Sequence, residues 1–191
     1  EMPEGADIDQ WRIAAGLDWE AKRSPVHYQN GELREWGAKN VIYRSDTNAP
    51  LSVVSSDYKI LQPADALAFF RGMTETADIT IETAGSLKEG RRIWALGRID
   101  ENREIMDDEV APYLLLATSY DGTMATVAKF TSIRVVCNNT LHASINNEQG
   151  KAQVTVPHST NFDAGEVRSM LGLDVASWNN FNYRANMMAR N

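Results

Sequence analysis

The side chains with chemical potential in this sequence gather at turns. Lys88, Arg91 and Arg92 flank Lys88-Glu89-Gly90, and Trp94 follows two residues later. Cations beside an aromatic ring suit single-stranded nucleic acid, because they meet phosphates while the ring stacks on a base. Arg92, Trp94, Leu96 and Arg98 alternate along a strand and share a face. The competing reading is a solvated turn with Trp94 in the core. A second group lies downstream, where Arg134 precedes Asn138-Asn139-Thr140. A helix starting there would offer backbone N–H groups to an anion, or the three side chains would simply cap it. Arg44 adds a cation at a strand end. Lys88, Arg91, Arg92, Trp94, Arg44, Arg134, Asn138, Asn139 and Thr140 therefore form the candidate nucleic-acid-binding set.

Catalytic chemistry has less to work with. The chain has three histidines, His27, His142 and His158, none next to a nucleophile-elbow sequence. Cys137 and His142 could form a nucleophile and base, but a free cysteine is more often a small core residue, so a buried structural Cys137 is expected. Asp107-Asp108-Glu109 could bind a divalent cation for a nuclease or hydrolase, yet consecutive side chains diverge and the spacing of a calcium loop is absent. Neither zinc spacing nor a GxxxxGK[ST] or GxGxxG phosphate loop occurs. The expectation is a non-enzymatic protein without catalytic residues, metal or other cofactor.

The elements that would position these residues follow from pattern. Asp7 through Gly16 reads as a short helix with Trp11 and Ala15 on its buried face. Alternation over Leu17–Tyr28 and Leu33–Tyr43 around Asn30-Gly31 predicts a hairpin, and Leu51–Ser55 a third strand. Pro63 opens a helix carrying Leu67 and Phe70. Ile79–Leu87 and Arg91–Ile99 form a second hairpin, and Val110–Ser119 and Thr123–Phe130 a third around Asp121-Gly122. Ser132–Val136 extends the strands, a helix follows with Leu141 and Ile145, and Val154–Val156 is strand-like. Asp163–Leu171 and the stretch from Asp174 are helical. The fold class is α+β, a mainly antiparallel twisted sheet of hairpins backed by helices. Residues 1–160 form the core domain, and 161–191 begin a C-terminal helical segment.

The chain has 191 residues, enough for one core. Its net charge of −7 argues against a uniformly basic DNA-coating surface but leaves room for a local basic face. The single cysteine suggests a reducing compartment, hence the cytoplasm. No apolar run reaches membrane-spanning length. Val175, Trp178, Phe181, Ala185 and Met188 make an apolar stripe that predicts self-association.

Several short segments together resemble a known family. They are Gly16-Leu17-Asp18-Trp19-Glu20, Tyr43-Arg44-Ser45-Asp46-Thr47, Ser56-Asp57-Tyr58-Lys59, Gly90-Arg91-Arg92-Ile93-Trp94, Ser119-Tyr120-Asp121-Gly122 and Arg134-Val135-Val136-Cys137-Asn138-Asn139-Thr140-Leu141. Their order resembles the phage/plasmid-like protein family, a domain of unknown function (DUF932). The resemblance implies a mobile-element protein in a bacterial cytoplasm, accompanying phage and plasmid DNA maintenance. That setting suggests single-stranded DNA binding, annealing or recombination, or else a protein-binding counter-defence module. A hairpin sheet backed by helices is also compatible with the fold of single-strand annealing proteins, although no annealing motif is quotable here.

Overall fold

The computed structural model describes residues 6–74, 79–99, 113–131, 133–146 and 153–172. Asp7 starts α1 (Ile8–Ala14) with a capping box: its carboxylate accepts from the Gln10 N–H while the Gln10 side chain accepts from the Asp7 N–H. Two amides at the helix start are thereby satisfied. Trp11 is buried and Ala15 packs beside it.

The chain then forms β1 (Ala21–Asn30), β2 (Glu32–Arg44) and β3 (Pro50–Ser55), an antiparallel sheet in sequence order. Gly31 makes the first reversal at φ +74°, a left-handed backbone that glycine adopts without a steric penalty. Next comes α2 (Pro63–Thr74), whose first residue is a proline that costs the helix no hydrogen bond. β4 (Ile79–Leu87), β5 (Arg92–Ile99), β6 (Tyr113–Ser119), β7 (Thr126–Thr131) and β8 (Gln153–Val156) form a second antiparallel sheet, again in sequence order. α3 (Asn138–Asn146) connects β7 to β8, and α4 (Ala164–Met170) follows β8.

The fold is α+β, as the sequence indicates, but the hairpins divide between two sheets. The chain leaves the first sheet after β3 and passes through α2 before starting the second. Side chains reach from one region to the other: the Ser52 hydroxyl donates to Tyr120 O at 2.7 Å, and the Tyr58 hydroxyl donates to Ser119 O at 2.7 Å.

β5 and β6 are buried on both faces, which is why they read as nearly continuous apolar runs. One face carries Ile93, Ala95, Leu114 and Leu116 against Leu67, Phe69 and Phe70 of α2, in a core that also holds Trp19 and Ile42. α4 joins it through Val167 and Leu171. The opposite face carries Trp94, Leu96, Leu115 and Ala117 beneath Val135 and Leu141. Two apolar layers thus sandwich one sheet, where the sequence suggested a single core.

Of the stretch Ser132–Val136 expected to extend the strands, residues 133–136 lie outside any ladder, and Ser132 lies outside the described residues. Side chains take their amides instead, since Ile133 N donates to Thr131 Oγ1 and Val136 N donates to Thr140 Oγ1. The stripe from Val175 to Met188 lies outside the described residues. Among those described, no helix is long and apolar enough to cross a membrane.

Burial gives the fold a pH dependence in alkali. Desolvation pushes the Tyr58 phenol up to about 12 and Tyr120 well above its ordinary value. A raised folded-state value favours the neutral phenol, so this contribution to stability is whole below about pH 10 and is lost as pH rises through about 12. The urea midpoint is expected to fall across that window, and to fall less in Tyr58→Phe.

Candidate nucleic-acid interface

The turn between β4 and β5 is a short 3₁₀ segment, Lys88–Gly90. Lys88 and Glu89 are left-handed at φ 52° and 62°, a conformation that costs a non-glycine residue about 1 kcal/mol or more. The Arg44 Nη1 contact to Glu89 O at 3.4 Å helps hold it. Lys88 and Arg91 point outward and are exposed.

Trp94 does not reach the surface. It is 8 % exposed, and its ring lies so close to Gly85 that a Cβ there would meet Trp94 Cη2 at 2.7 Å. The core reading of Trp94 is the right one, so it is no stacking platform. Arg44 is also committed: its guanidinium donates to Asp46 at 2.9 and 2.6 Å and stacks 4.5 Å from the Trp19 ring centroid. The Asp46 hydrogen bond is the main cause that raises the Arg44 pKa, and its counterpart lowers Asp46. Arg134 pairs closely with Glu82, which also lies 3.9 Å from Arg98. Glu82 sits where the β4–β5 register shifts between Ile81 and Thr83.

Arg92 is only 6 % exposed at the start of β5. Its Nη2 donates to Thr123 Oγ1 at 3.0 Å, and its Nη1 contacts His142 Nε2 at 2.7 Å and Asn138 Oδ1 at 3.4 Å. A guanidinium can only donate, so His142 Nε2 presents its lone pair there. Thr123 Oγ1 in turn donates to Asp121 Oδ1 at 2.5 Å. Burial works to raise the Asp121 pKa, but hydrogen bonds from Thr123 and Ser119 and the charge of Arg92 outweigh it, and the net shift is downward.

The structure thus brings Arg92 and Asn138 together and leaves Arg134 with Glu82. Asn139 is exposed. Thr140 folds its hydroxyl back, accepting from Val136 N and Cys137 N and donating to Cys137 O. The expected buried cysteine is in fact exposed. Hydrogen bonds from the Thr140 hydroxyl and backbone lower the pKa of the Cys137 thiol. Among the described residues no three His, Cys, Asp or Glu side chains gather to hold an ion. Asp107-Asp108-Glu109 lies outside those residues.

A different element offers what Trp94 does not. β3 pairs with β2 only from Lys39 to Tyr43, so beyond Pro25 and Asn40 the β1–β2 hairpin is a two-stranded arm. At about 3.4 Å per residue it runs on for roughly 20 Å. The register breaks at its base: Pro25 opposes Asn40, but His27 opposes Glu35. Further out, Tyr28 faces Arg34 directly, while Trp36 lies two residues from Arg34 in the stretch of β2 that the break leaves without a β1 partner. Tyr28 is 50 % exposed and Trp36 49 %. The Lys39 ammonium lies 5.9 Å from the Trp36 centroid.

Residues 21–44 hold five Lys and Arg against two Glu, an excess of three positive charges in a chain whose total is −7. Sequence reading identified this hairpin but not its chemistry. The signal was that local excess, together with strands too poor in aliphatic residues to bury either face.

No curated protein and no solved structure matches the chain. Residues 50–191 match the family described as "Domain of unknown function (DUF932)". That match spans β3 to the C-terminus and takes in the whole second sheet and the Arg92 cluster, and on its strength the chain belongs to the DUF932 family.

Proposed function

We propose that the protein is a non-enzymatic single-stranded DNA-binding protein whose contact element is the β1–β2 arm, acting in annealing or recombination. The observation that carries this reading is the pairing of half-exposed Tyr28 with Arg34, with half-exposed Trp36 two residues along β2, on a locally basic element of an acidic chain. Aromatic faces stack on unpaired bases of any sequence while nearby cations meet phosphates. The exposed Lys22–Glu20 and Arg34–Glu32 pairs, at 4.0 and 3.7 Å, cost little to exchange for phosphate contacts. A two-stranded hairpin exposed on both faces is only marginally stable in water, so a partner that covers it gains by doing so. Lys88 and Arg91 are exposed on either side of Glu89, whose carbonyl Arg44 touches at the end of β2. The arm precedes residue 50, so the choice of contact element does not rest on the family match, whereas annealing or recombination rests on the family resemblance.

Fluorescence anisotropy with a labelled oligothymidylate at several salt concentrations tests it. Affinity is expected to fall with salt at a log–log slope of about −2, three cations each contributing about −0.7. Absence of binding at low salt by the full chain rejects the reading in favour of a protein-binding module.

A further inference from the structure

Arg92 carries more than the nucleic-acid reading uses. Its guanidinium is more than nine-tenths buried, yet no carboxylate among the described residues forms an ion pair with it. Its direct partners are the neutral acceptors Thr123, His142 and Asn138, the Asp121 carboxylate reaches it only through Thr123 Oγ1, and its Nε–H has no acceptor among the described residues. Buried cations are ordinarily paired, because a desolvated charge is costly unless an anion offsets it.

The surroundings point the same way. Asn138 lies in the first turn of the nine-residue α3, so the guanidinium sits at the positive end of that helix. Four buried side-chain polar atoms among the described residues lack a hydrogen-bond partner. Three of them, Arg92 Nε, Trp94 Nε1 and Ser144 Oγ, belong to β5 and α3, the elements that enclose the second apolar layer. Two of the three can only donate, and the hydroxyl can do so as well. Lys129 is buried on the same face of the sheet, where it opposes Leu115, and its Nζ donates to Ile145 O at 3.0 Å. Arg92 Nε and Trp94 Nε1 are thus two donors without acceptors on this side of the sheet.

We infer that Arg92, together with the start of α3, binds an oxyanion of the phosphate class, with Thr123 and Asn138 as flanking polar groups. Such an anion pairs with the buried charge and gives the Nε–H its acceptor, in the charge-assisted geometry that guanidinium and phosphate share. The anion is either free phosphate or the terminal phosphate of a nucleic-acid strand. The site is separate from the aromatic face of the arm, so it stands or falls independently of the proposed function.

The test is a ¹⁵N–¹H spectrum of the intact chain, recorded in the arginine Nε–H region while inorganic phosphate replaces chloride at constant ionic strength. The Arg92 signal, assigned by its loss in Arg92→Lys, is expected to shift saturably. Asn138→Ala and His142→Ala remove side chains outside the apolar layers and should leave the fold intact. Asn138→Ala is expected to weaken phosphate binding about tenfold, the usual scale for one hydrogen bond in a charged site, whereas His142→Ala, which removes an acceptor competing for Arg92 Nη1, is expected not to weaken it. A shift that never saturates, or an affinity unchanged in Asn138→Ala, overturns the inference. Oligothymidylate with and without a 5′-phosphate then separates the sources. A shift that requires the 5′-phosphate assigns a strand end, whereas a response to inorganic phosphate alone assigns the free anion.

Discussion

Phe70→Ala is expected to lower the unfolding free energy by about 3–5 kcal/mol, the range for truncating a buried phenylalanine. The ring is fully buried on α2 and meets Phe69 edge to face, with centroids 5.2 Å apart. It also lies against bare backbone of β5: a Cβ at Gly97 would stand 3.0 Å from Phe70 Cδ1. A side chain seated on a glycine leaves a hole that neighbours cannot easily fill, because the strand opposite has nothing to swing inward. The urea midpoint should therefore drop with the slope unchanged, the sign of lost packing in an otherwise intact native state. A midpoint within error of the parent would mean that α2 does not anchor the sheet.

The second large effect concerns binding. Tyr28→Ala combined with Trp36→Ala is expected to weaken oligothymidylate binding by about 2–6 kcal/mol, because base–aromatic stacking contributes about 1–3 kcal/mol per base. That corresponds to roughly 30-fold to 10⁴-fold in Kd. Both rings are about half exposed, so the double variant should unfold at nearly the parent's urea midpoint. Its salt slope should stay at the parent's value, since no phosphate contact is lost. Arg34→Ala with Lys39→Ala should do the opposite, flattening the slope by roughly one unit or more while leaving the stacking in place. Parent-like affinity in the aromatic double variant would remove the arm from the interface.

Local chemistry made most of the fold legible. Asp7 with Gln10, Asn30-Gly31, Pro63 with Leu67 and Phe70, and the apolar runs of β5 and β6 each point to one local structure, and each element is where those residues place it. Groups that meet across long separations were not legible. Arg134 is claimed by Glu82, 52 residues away, and Arg92 by Asn138 and His142, 46 and 50 residues away. A cation reads as free from its neighbours in sequence and becomes committed only when the sheet closes. Trp94 shows the same limit, since alternation gives its face but not that α3 covers it. The arm is the converse case. The alternation of β1 and β2 looks like half-buried strand, yet beyond the short pairing of β3 Tyr28, Leu33 and Trp36 are left exposed.

The break in pairing between Pro25 and His27 has a bearing on how this protein can change over evolutionary time. Two residues of β1 there span the distance of five on β2, so the inner register that holds Ile42 in the core is uncoupled from the outer one. Insertions and deletions beyond the break need not disturb the body. They are nevertheless constrained by parity: one residue added to each strand between the break and the Tyr28–Arg34 pair turns those side chains to the far side, whereas two restore their direction. Descendants with longer or shorter arms are therefore expected to differ by even steps, keeping one side of the hairpin in service whatever its reach.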